Sequence, residues 1–189
     1  MLEFSHNLFY GKSISNIPGI CFVDKENKFI DNGLSKRIQH IDTLPRPAWH
    51  LLKPENYFTN SFTVGLAKGK LKNMPILATR GCPFQCTFCS SPSMWTTRYV
   101  MRDPKEIVDE MEYTKEKYHA KSAYFDDDTF AVDKHRVTEL CNVVIKRKLD
   151  MPWTAIGDVT LKRDNLKLLS QAGCVGVKFG VETSSIHTL

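Results

Sequence analysis

The sequence lacks the features that mark membrane, secreted or disulfide-built proteins. Its apolar runs are short, such as Val143-Val144-Ile145, whereas a membrane-spanning helix needs roughly 20 apolar residues in succession. The first residues, Met1 to His6, do not combine a basic region with an apolar core, so no secretory signal is predicted and we expect a cytoplasmic protein. Six cysteines in 189 residues are too few to build a fold on disulfides. The rest of the composition is that of a globular chain.

The charge of the chain is nearly balanced and does not indicate a binding partner. Lys and Arg total 26 against 21 Asp and Glu, which gives a net charge of +5 at pH 7. The basic residues are scattered, and a dense group such as Lys146-Arg147-Lys148 is typical of a solvated helix end. The charge pattern therefore favours neither a nucleic acid nor a membrane surface.

Residues 1–73 show no sustained helical period, which indicates connecting structure. A small hairpin is predicted at residues 19–30, where two short apolar segments flank a polar stretch. Residues 41–49 contain two prolines spaced two apart, which disfavour helix and favour an extended strap. Leu44 and Trp49 are its predicted anchors onto another surface.

From residue 74 the pattern changes to strands alternating with helices. Asp103 and Asp133 are predicted N-caps of the first two helices, and Gly173 is predicted to end a third helix that begins at Asn165. Alternation of this kind predicts parallel strands with helices covering the sheet. The predicted apolar face of the first helix consists of Ile107, Val108, Met111 and Tyr118, interrupted by Thr114. The predicted strands are Ile76–Thr79, Ser122–Phe125, Trp153–Ile156 and Cys174–Phe179.

Residues whose side chains can bind a metal or a ligand follow all four predicted strands. Three cysteines follow the first strand, and Asp126 to Thr129 follow the second. Gly157-Asp158 follows the third, and Glu182 to Ser185 lie near the end of the fourth. Because the carboxyl ends of parallel strands share one edge, we expect these groups to lie along a single edge of the sheet.

The three clustered cysteines are Cys82, Cys86 and Cys89, and Gly81 and Pro83 help the backbone around them to bend tightly. A structural zinc site usually has four protein ligands, and neither a second Cys-x-x-Cys pair nor a nearby His completes such a set. A 4Fe-4S cluster held by three thiolates leaves one iron open to a small molecule. The spacing therefore favours an iron–sulfur cluster, with zinc as the alternative. The isolated cysteines, predicted to be small buried apolar residues, are Cys21, Cys141 and Cys174.

The pattern Cys-x-x-x-Cys-x-Phe-Cys after a first parallel strand resembles the signature of radical S-adenosylmethionine (SAM) enzymes. Three further segments, Thr79–Phe84, Phe125–Phe130 and Gly180–Ser184, are similar to the branch of that superfamily that commonly carries an upstream cobalamin-binding domain. The hairpin and the segment Leu44–Trp49 are similar to the connection between that domain and the barrel. The resemblance spans most of the chain, from about residue 17 onward.

The resemblance implies a set of cofactors and partners. Cys82, Cys86 and Cys89 would ligate three irons of a 4Fe-4S cluster, and SAM would chelate the fourth. An electron from the cluster would cleave SAM into methionine and a 5′-deoxyadenosyl radical, which abstracts hydrogen from a small-molecule substrate. A reductant such as flavodoxin or ferredoxin is implied, and so is cobalamin where a domain outside this chain supplies it.

The resemblance also implies residues that bind SAM near the cluster. Phe88 is predicted to pack against the adenine, and a wedge that supports the loop is the alternative. One or more of Asp126, Asp127 and Asp128 are predicted to receive the ammonium of SAM, and a solvated turn is the alternative. Arg80 would offset the charge of the cluster or of a carboxylate, or pair with a neighbouring acid.

Two further positions are assigned on the same basis. Glu182 and Ser184 resemble ribose-binding residues at the end of the fourth strand, and a capped turn is the alternative. Asp158 is predicted to contact SAM or the substrate, with a helix-approach turn as an equal alternative. No side chain is assigned a catalytic role.

The implied fold is α/β: a partial (β/α) barrel of the radical SAM type, with about four of six strand–helix units, preceded by the hairpin and the extended segment. We expect residues 1–73 to be the connecting segment and residues 74–189 the N-terminal part of the barrel. The chain ends at Leu189, inside the expected fourth helix, so we expect a fragment of a longer enzyme that is a poor catalyst by itself.

Three functional hypotheses follow. The leading one is radical SAM chemistry, as cobalamin-linked methyl transfer or oxidative cyclisation. A methylthiotransferase-like radical SAM enzyme is the enzymatic alternative, although the basic accessory domain it would want is not evident in the sequence. A non-catalytic iron–sulfur or zinc module is the remaining alternative, and metal analysis separates it from the first two.

Overall fold

The computed structural model describes residues 2–57, 72–158 and 160–185. The chain divides into two compact units, residues 1–39 and 40–189. Residues 41–49 therefore belong to the same unit as the parallel sheet. The boundary at residue 73 between a connecting segment and the barrel stays a prediction. In the part of the chain that is described, no helix has both the length and the apolar character needed to cross a bilayer.

The first unit contains a short helix and the predicted hairpin. Helix α1 (Leu2–Phe9) buries none of its residues, and its 8 residues are too few for a sustained helical period. Strands β1 (Cys21–Val23) and β2 (Phe29–Asp31) pair antiparallel. The Asp24 carboxylate closes the turn by accepting the backbone N–H groups of residues 26 and 28, each at 2.9 Å. The hairpin prediction is therefore confirmed.

The isolated cysteines differ in their burial. Cys141 is fully buried in the core, as predicted, and Cys174 is half-buried. Cys21 is exposed, and its thiol donates to the Asp31 carboxylate at 3.4 Å. The predicted burial of Cys21 is thus wrong, because residue 21 lies at an exposed position of a two-stranded hairpin.

The second unit contains a parallel sheet with the strand order β3-β6-β7-β8. Its helices and strands are β3 (Asn73–Ile76), β4 (Thr79–Arg80), α2 (Ser91–Trp95), β5 (Val100–Met101), α3 (Pro104–Tyr118), β6 (Ser122–Phe125), α4 (Lys134–Arg147), β7 (Trp153–Gly157), α5 (Arg163–Gln171) and β8 (Cys174–Phe179). The alternation of strands and helices confirms the α/β prediction. Within the described ranges the sheet is open. Residues 186–189, where the sequence places the start of a further helix, lie outside the described residues.

The first predicted strand is divided in two. The apolar segment Ile76–Thr79 ends β3 and begins β4, which pairs antiparallel with β5 and belongs to a separate small sheet. Strand β3 begins in a more polar segment that contains Pro75. A proline is tolerated there because β3 is an edge strand of the sheet and Pro75 is exposed. Because β3 begins with a polar segment, the apolar pattern does not predict its start.

The helices cover the sheet through the predicted faces. Asp103 caps α3 by accepting the backbone N–H of Lys105 at 2.8 Å, and Asp133 caps α4 in the same way. The predicted apolar face of α3 is buried, and the hydroxyl of Thr114 within it donates to the Met111 carbonyl at 2.9 Å. Ile145 of α4 is 41% exposed and lies outside the buried stripe of its helix.

The strap (residues 41–49) lies in the second unit. It begins and ends in 3-10 helices, and the backbone of Leu44 between them is extended. Trp49 is half-buried and packs against the core of the sheet, so its predicted role as an anchor is confirmed. In the described ranges, 3-10 helices lie at Ile41–Thr43, Trp49–Leu51 and Pro54–Asn56.

Candidate metal and cofactor site

The parallel register brings the predicted site residues to one edge of the sheet. Ile76 of β3 is in register with Phe125 of β6, and Gly157 of β7 with Phe179 of β8. The segments that follow these strands therefore leave from the same edge. Edges of this kind carry the binding sites of parallel α/β folds.

The cysteine loop (residues 80–90) follows β4. Gly81 is buried and has a φ of +89°, a conformation that glycine adopts without strain, so the predicted tight bend occurs there. The backbone N–H of Cys89 donates to the carbonyl of Cys86 at 3.0 Å and closes a turn between the two. Cys82 is half-buried, whereas Cys86 and Cys89 are exposed, and all three are free thiols. The loop thus presents three sulfur donors.

Burial and neighbouring groups act on the Cys82 thiol. Burial raises the pKa of the Cys82 thiol, and the charges of Asp128, Cys86 and Cys89 raise it further, while a backbone hydrogen bond at Phe84 lowers it. The thiols of the loop are therefore near enough for their charges to interact. A bound cation would relieve this repulsion, because thiolates are the form that ligates metals.

The donor set is compatible with an iron–sulfur cluster. Among residues 2–57, 72–158 and 160–185, no three His, Cys, Asp or Glu side chains converge closely enough to hold one ion. A single zinc ion needs its ligands together, with sulfurs at about 2.3 Å from the metal. A 4Fe-4S cluster accepts its thiolates on different irons, so its ligands need not converge on one point.

Asp127 points into the protein. The residue is 2% exposed, and its Oδ1 atom accepts hydrogen bonds from the backbone N–H of Ala78 at 3.0 Å, from the backbone N–H of Thr79 at 2.5 Å and from the Thr79 hydroxyl at 2.8 Å. Burial raises the pKa of the Asp127 carboxyl to about 7, against the lowering effect of these hydrogen bonds. Asp127 therefore contacts the chain just before the cysteine loop.

The other two acidic residues of this segment are exposed. The Oδ2 atom of Asp128 lies 3.4 Å from the hydroxyl of Ser91, just after the cysteine loop. The backbone N–H of Ser91 in turn donates to the sulfur of Cys89 at 3.4 Å. Asp126 faces a neighbouring cavity that Arg80 also lines. The predicted acidic group is thus brought next to the cysteine loop, with its three carboxylates in different surroundings.

Asp158 follows β7 and has one engaged and one unengaged oxygen. Its Oδ1 atom accepts the backbone N–H of Thr160 at 2.7 Å, as in a turn that leads into a helix, and lies 3.7 Å from the ammonium of Lys134. Its Oδ2 atom is buried and has no hydrogen-bond partner among the described residues. Both predicted roles, a turn and a ligand contact, are therefore compatible with its geometry.

The remaining predicted site residues are accessible. Phe88 is 69% exposed, so its ring does not pack as a wedge within the loop. Glu182 and Ser184 are also exposed, and Glu182 has a φ of +56° with its side chain folded back over Gly180. The structure therefore places Phe88 on the cysteine loop and the other two after the last strand.

A cavity of about 290 Å³ lies between the strap and the carboxyl end of β3. Apolar side chains of the strap, including Leu44 and Trp49, form one wall. Arg80 and Asp126 line the cavity beside the cysteine loop. Its volume is at the lower end of the range for small-molecule pockets.

Three residues around the site were not singled out by the sequence. Thr79 and Ser91 flank the cysteine loop, and the sequence carries no sign of their contacts with the acidic segment. Arg102 lies just before α3, and its guanidinium donates to Asp42 of the strap and to the buried carboxylate of Glu110. All three contact residues that are distant in the chain, and sequence patterns do not reveal such contacts.

Comparison with known proteins identifies the family. The Radical SAM superfamily matches residues 76–188. The chain is 29% identical over 181 residues to an uncharacterized methyltransferase of Pyrococcus horikoshii, covering 95% of this chain and 37% of that protein. It is 28% identical over 172 residues to the anaerobic magnesium-protoporphyrin IX monomethyl ester cyclase of Rubrivivax gelatinosus, covering 89% and 29%. The chain thus spans about a third of the length of these relatives.

Solved structures show the same fold. The radical SAM methyltransferase TsrM from Kitasatospora setae superposes with a TM-score of 0.73 at 19% identity, covering 98% of this chain and 36% of that one. The cobalamin-dependent SAM radical enzyme OxsB superposes with a TM-score of 0.73 at 15% identity, covering 100% and 27%. With a family match over more than half of its residues, this chain belongs to the radical SAM superfamily.

Proposed function

We propose that this chain is the part of a radical SAM enzyme that holds a 4Fe-4S cluster through Cys82, Cys86 and Cys89 and binds SAM beside it. The observation that supports this most is the cysteine loop itself: three free thiols on one tightly bent loop at the carboxyl edge of a parallel sheet. When bound, the cluster supplies the electron that cleaves SAM reductively and so generates a 5′-deoxyadenosyl radical.

The residues around the loop have the chemistry to bind SAM. The exposed carboxylates of Asp126 and Asp128 are acceptors for its ammonium group. The exposed ring of Phe88 offers a face to the adenine. The buried, unpartnered Oδ2 atom of Asp158 is an acceptor that a ligand donor would satisfy.

Glu182 and Ser184, after the last strand, offer acceptors for the ribose hydroxyls of SAM. Both side chains are exposed at the edge where the other site residues lie. A carboxylate that accepts from two neighbouring hydroxyls gives directional recognition. Together these residues would orient the sulfonium toward the cysteine loop and keep water from it.

The reaction we propose for the whole enzyme is methyl transfer to a small molecule or oxidative cyclisation, with cobalamin as a further cofactor. The names of the related methyltransferases and of the related cyclase support these two reactions. The structurally similar TsrM and OxsB bind cobalamin. A small reductant protein, such as a flavodoxin or ferredoxin, would deliver the electron.

Anaerobic reconstitution with iron and sulfide tests the proposal. We expect about four irons with acid-labile sulfide per chain, and an electron paramagnetic resonance spectrum of the reduced sample that changes when SAM is added. Cys86→Ala should lose the cluster. Cys21→Ala is the matched control, because Cys21 is also exposed but lies in the hairpin; it should assemble the cluster normally.

Three outcomes would count against the proposal. About one zinc per chain and no sulfide would indicate a structural metal module instead. A spectrum that SAM leaves unchanged would show that no iron is open to it. Normal cluster content in Cys86→Ala would remove the ligand assignment.

A further inference from the structure

The acidic segment after β6 contacts the cysteine loop at both of its ends. Before the loop, one oxygen of Asp127 accepts three hydrogen bonds from Ala78 and Thr79, at 2.5–3.0 Å. After the loop, the carboxylate of Asp128 lies 3.4 Å from the hydroxyl of Ser91. Two adjacent side chains thus meet the two segments between which all three cysteines lie.

The contact of Asp127 is buried and specific. Asp127 is 2% exposed and Thr79 is 5% exposed, so water does not compete for these hydrogen bonds. A buried carboxylate is costly unless donors surround it. Here two of the donors are backbone N–H groups, so the carboxylate fixes the course of the main chain three to four residues before Cys82.

The contact of Asp128 reaches a sulfur through one intermediate residue. The Ser91 hydroxyl donates to the Asp128 carboxylate, and the Ser91 backbone N–H donates to the sulfur of Cys89, each at 3.4 Å. Hydrogen bonds to cysteine sulfurs tune the reduction potential of iron–sulfur clusters. The second contact therefore bears on the properties of the cluster as well as on the shape of the loop.

We infer that Asp127 and Asp128 are positioning residues that hold the cysteine loop at its two ends in the geometry that accepts the cluster. Asp127 fixes the entry of the loop, and Asp128 fixes its exit and, through Ser91, the hydrogen bond to Cys89. The inference rests on the proposed function. It assigns the Oδ1 atom of Asp127 to the loop, while the Oδ2 atom is buried and has no hydrogen-bond partner among the described residues.

Variants of Asp127 test the first contact. Asp127→Ala removes the acceptor that holds the main chain before Cys82. The nearest comparison is the loss of a partner hydrogen-bonded directly to a metal ligand, which typically costs about 10–100-fold in metal affinity. We expect a loss of that order in cluster retention against a chelator. Asp127→Asn keeps an oxygen acceptor at the same place and should retain most of the cluster. Asp164→Ala, at an exposed site on α5, should behave as the wild type.

General destabilisation is controlled with a core variant. Val108→Ala creates a cavity at a fully buried position of α3, in the core of the sheet. Cluster retention is compared at equal folded fractions, judged by circular dichroism. If Val108→Ala loses the cluster as readily as Asp127→Ala, or if Asp127→Ala retains it as the wild type does, the positioning role is overturned.

The second contact has a spectroscopic readout. Ser91→Ala loosens the residue that donates to Cys89, so the reduction potential of the cluster should become more negative. Ser93→Ala, two residues along the same helix, is the matched control and should leave the potential unchanged. Equal potentials for wild type and Ser91→Ala would overturn this half of the inference.

Failure of the proposed function is distinguishable from failure of the inference. A wild-type chain that assembles no cluster contradicts the proposed function. Hydrogen exchange at the amides of Ala78 and Thr79 in the metal-free protein then decides on the contact itself. Faster exchange in Asp127→Ala than in Asp127→Asn supports it, and equal exchange in the two variants overturns it.

Discussion

Arg102 links the strap to helix α3 within the second unit, and its ion pair with Glu110 of α3 is buried. Its guanidinium donates to Glu110, to the carbonyl of Leu77 at 3.0 Å and to Asp42 at 3.3 Å. The side chain of Arg102 is 14% exposed and that of Glu110 is 3% exposed. Arg102→Leu leaves the Glu110 carboxylate buried without its cation, which costs about 3–5 kcal/mol. A loss of this size is a large part of the roughly 5–15 kcal/mol that stabilises a domain.

A double-mutant cycle measures this effect. Urea unfolding followed by circular dichroism gives the free energy of unfolding of wild type, Arg102→Leu, Glu110→Leu and the double variant. The double variant should recover most of the loss, because replacing both members of a buried pair with apolar residues is often neutral. A coupling energy below about 0.5 kcal/mol, the level of independent sites, would refute the reasoning.

Two further predictions concern buried polar atoms. Burial raises the pKa of Asp127 from 3.8 to about 7. Between these two pH values the native state therefore binds more protons than the unfolded chain, and the free energy of unfolding falls as the pH rises. Relative to Asp127→Asn, the wild type should lose up to about 4 kcal/mol between pH 4 and pH 8, measured by urea unfolding. Trp153→Phe breaks a 2.7 Å hydrogen bond from the indole to the Ala172 carbonyl and should cost about 1–3 kcal/mol more than Trp49→Phe, measured in the same way.

Each of these two predictions has its control in the variant with which it is compared. Parallel stability profiles of wild type and Asp127→Asn across the pH range would contradict the first prediction. The Trp49 indole nitrogen is buried without a hydrogen-bond partner in the described part of the chain, so its removal breaks no bond. Equal losses for Trp49→Phe and Trp153→Phe would contradict the second prediction.

Much of the fold was predictable because local signals and burial agree. Strands β6 and β8 begin and end at the predicted residues, since each is a short, mainly apolar run bounded by turns. The Asp103 and Asp133 caps fixed two helix starts, because their carboxylates satisfy N–H groups that a helix leaves unpaired. Strand β3 was misplaced, since an edge strand tolerates polar residues and a proline.

The site was predictable as a location but not in its internal contacts. The topology alone brings the residues after each strand to one edge. Asp126, Asp127 and Asp128 are identical in type, so the sequence does not show that their surroundings differ. The inward direction of Asp127 depends on Thr79, which is 48 residues earlier in the chain, and local patterns carry no information about a contact of that span.

The same span has a consequence during biosynthesis. The carboxylate that secures Thr79 is translated 48 residues later, which takes about 2–10 s at ordinary rates of elongation. Over that interval the entry of the cysteine loop lacks its buried acceptor. Because the inferred positioning role depends on both aspartates, a loop shaped for the cluster is expected only once the acidic segment has been made.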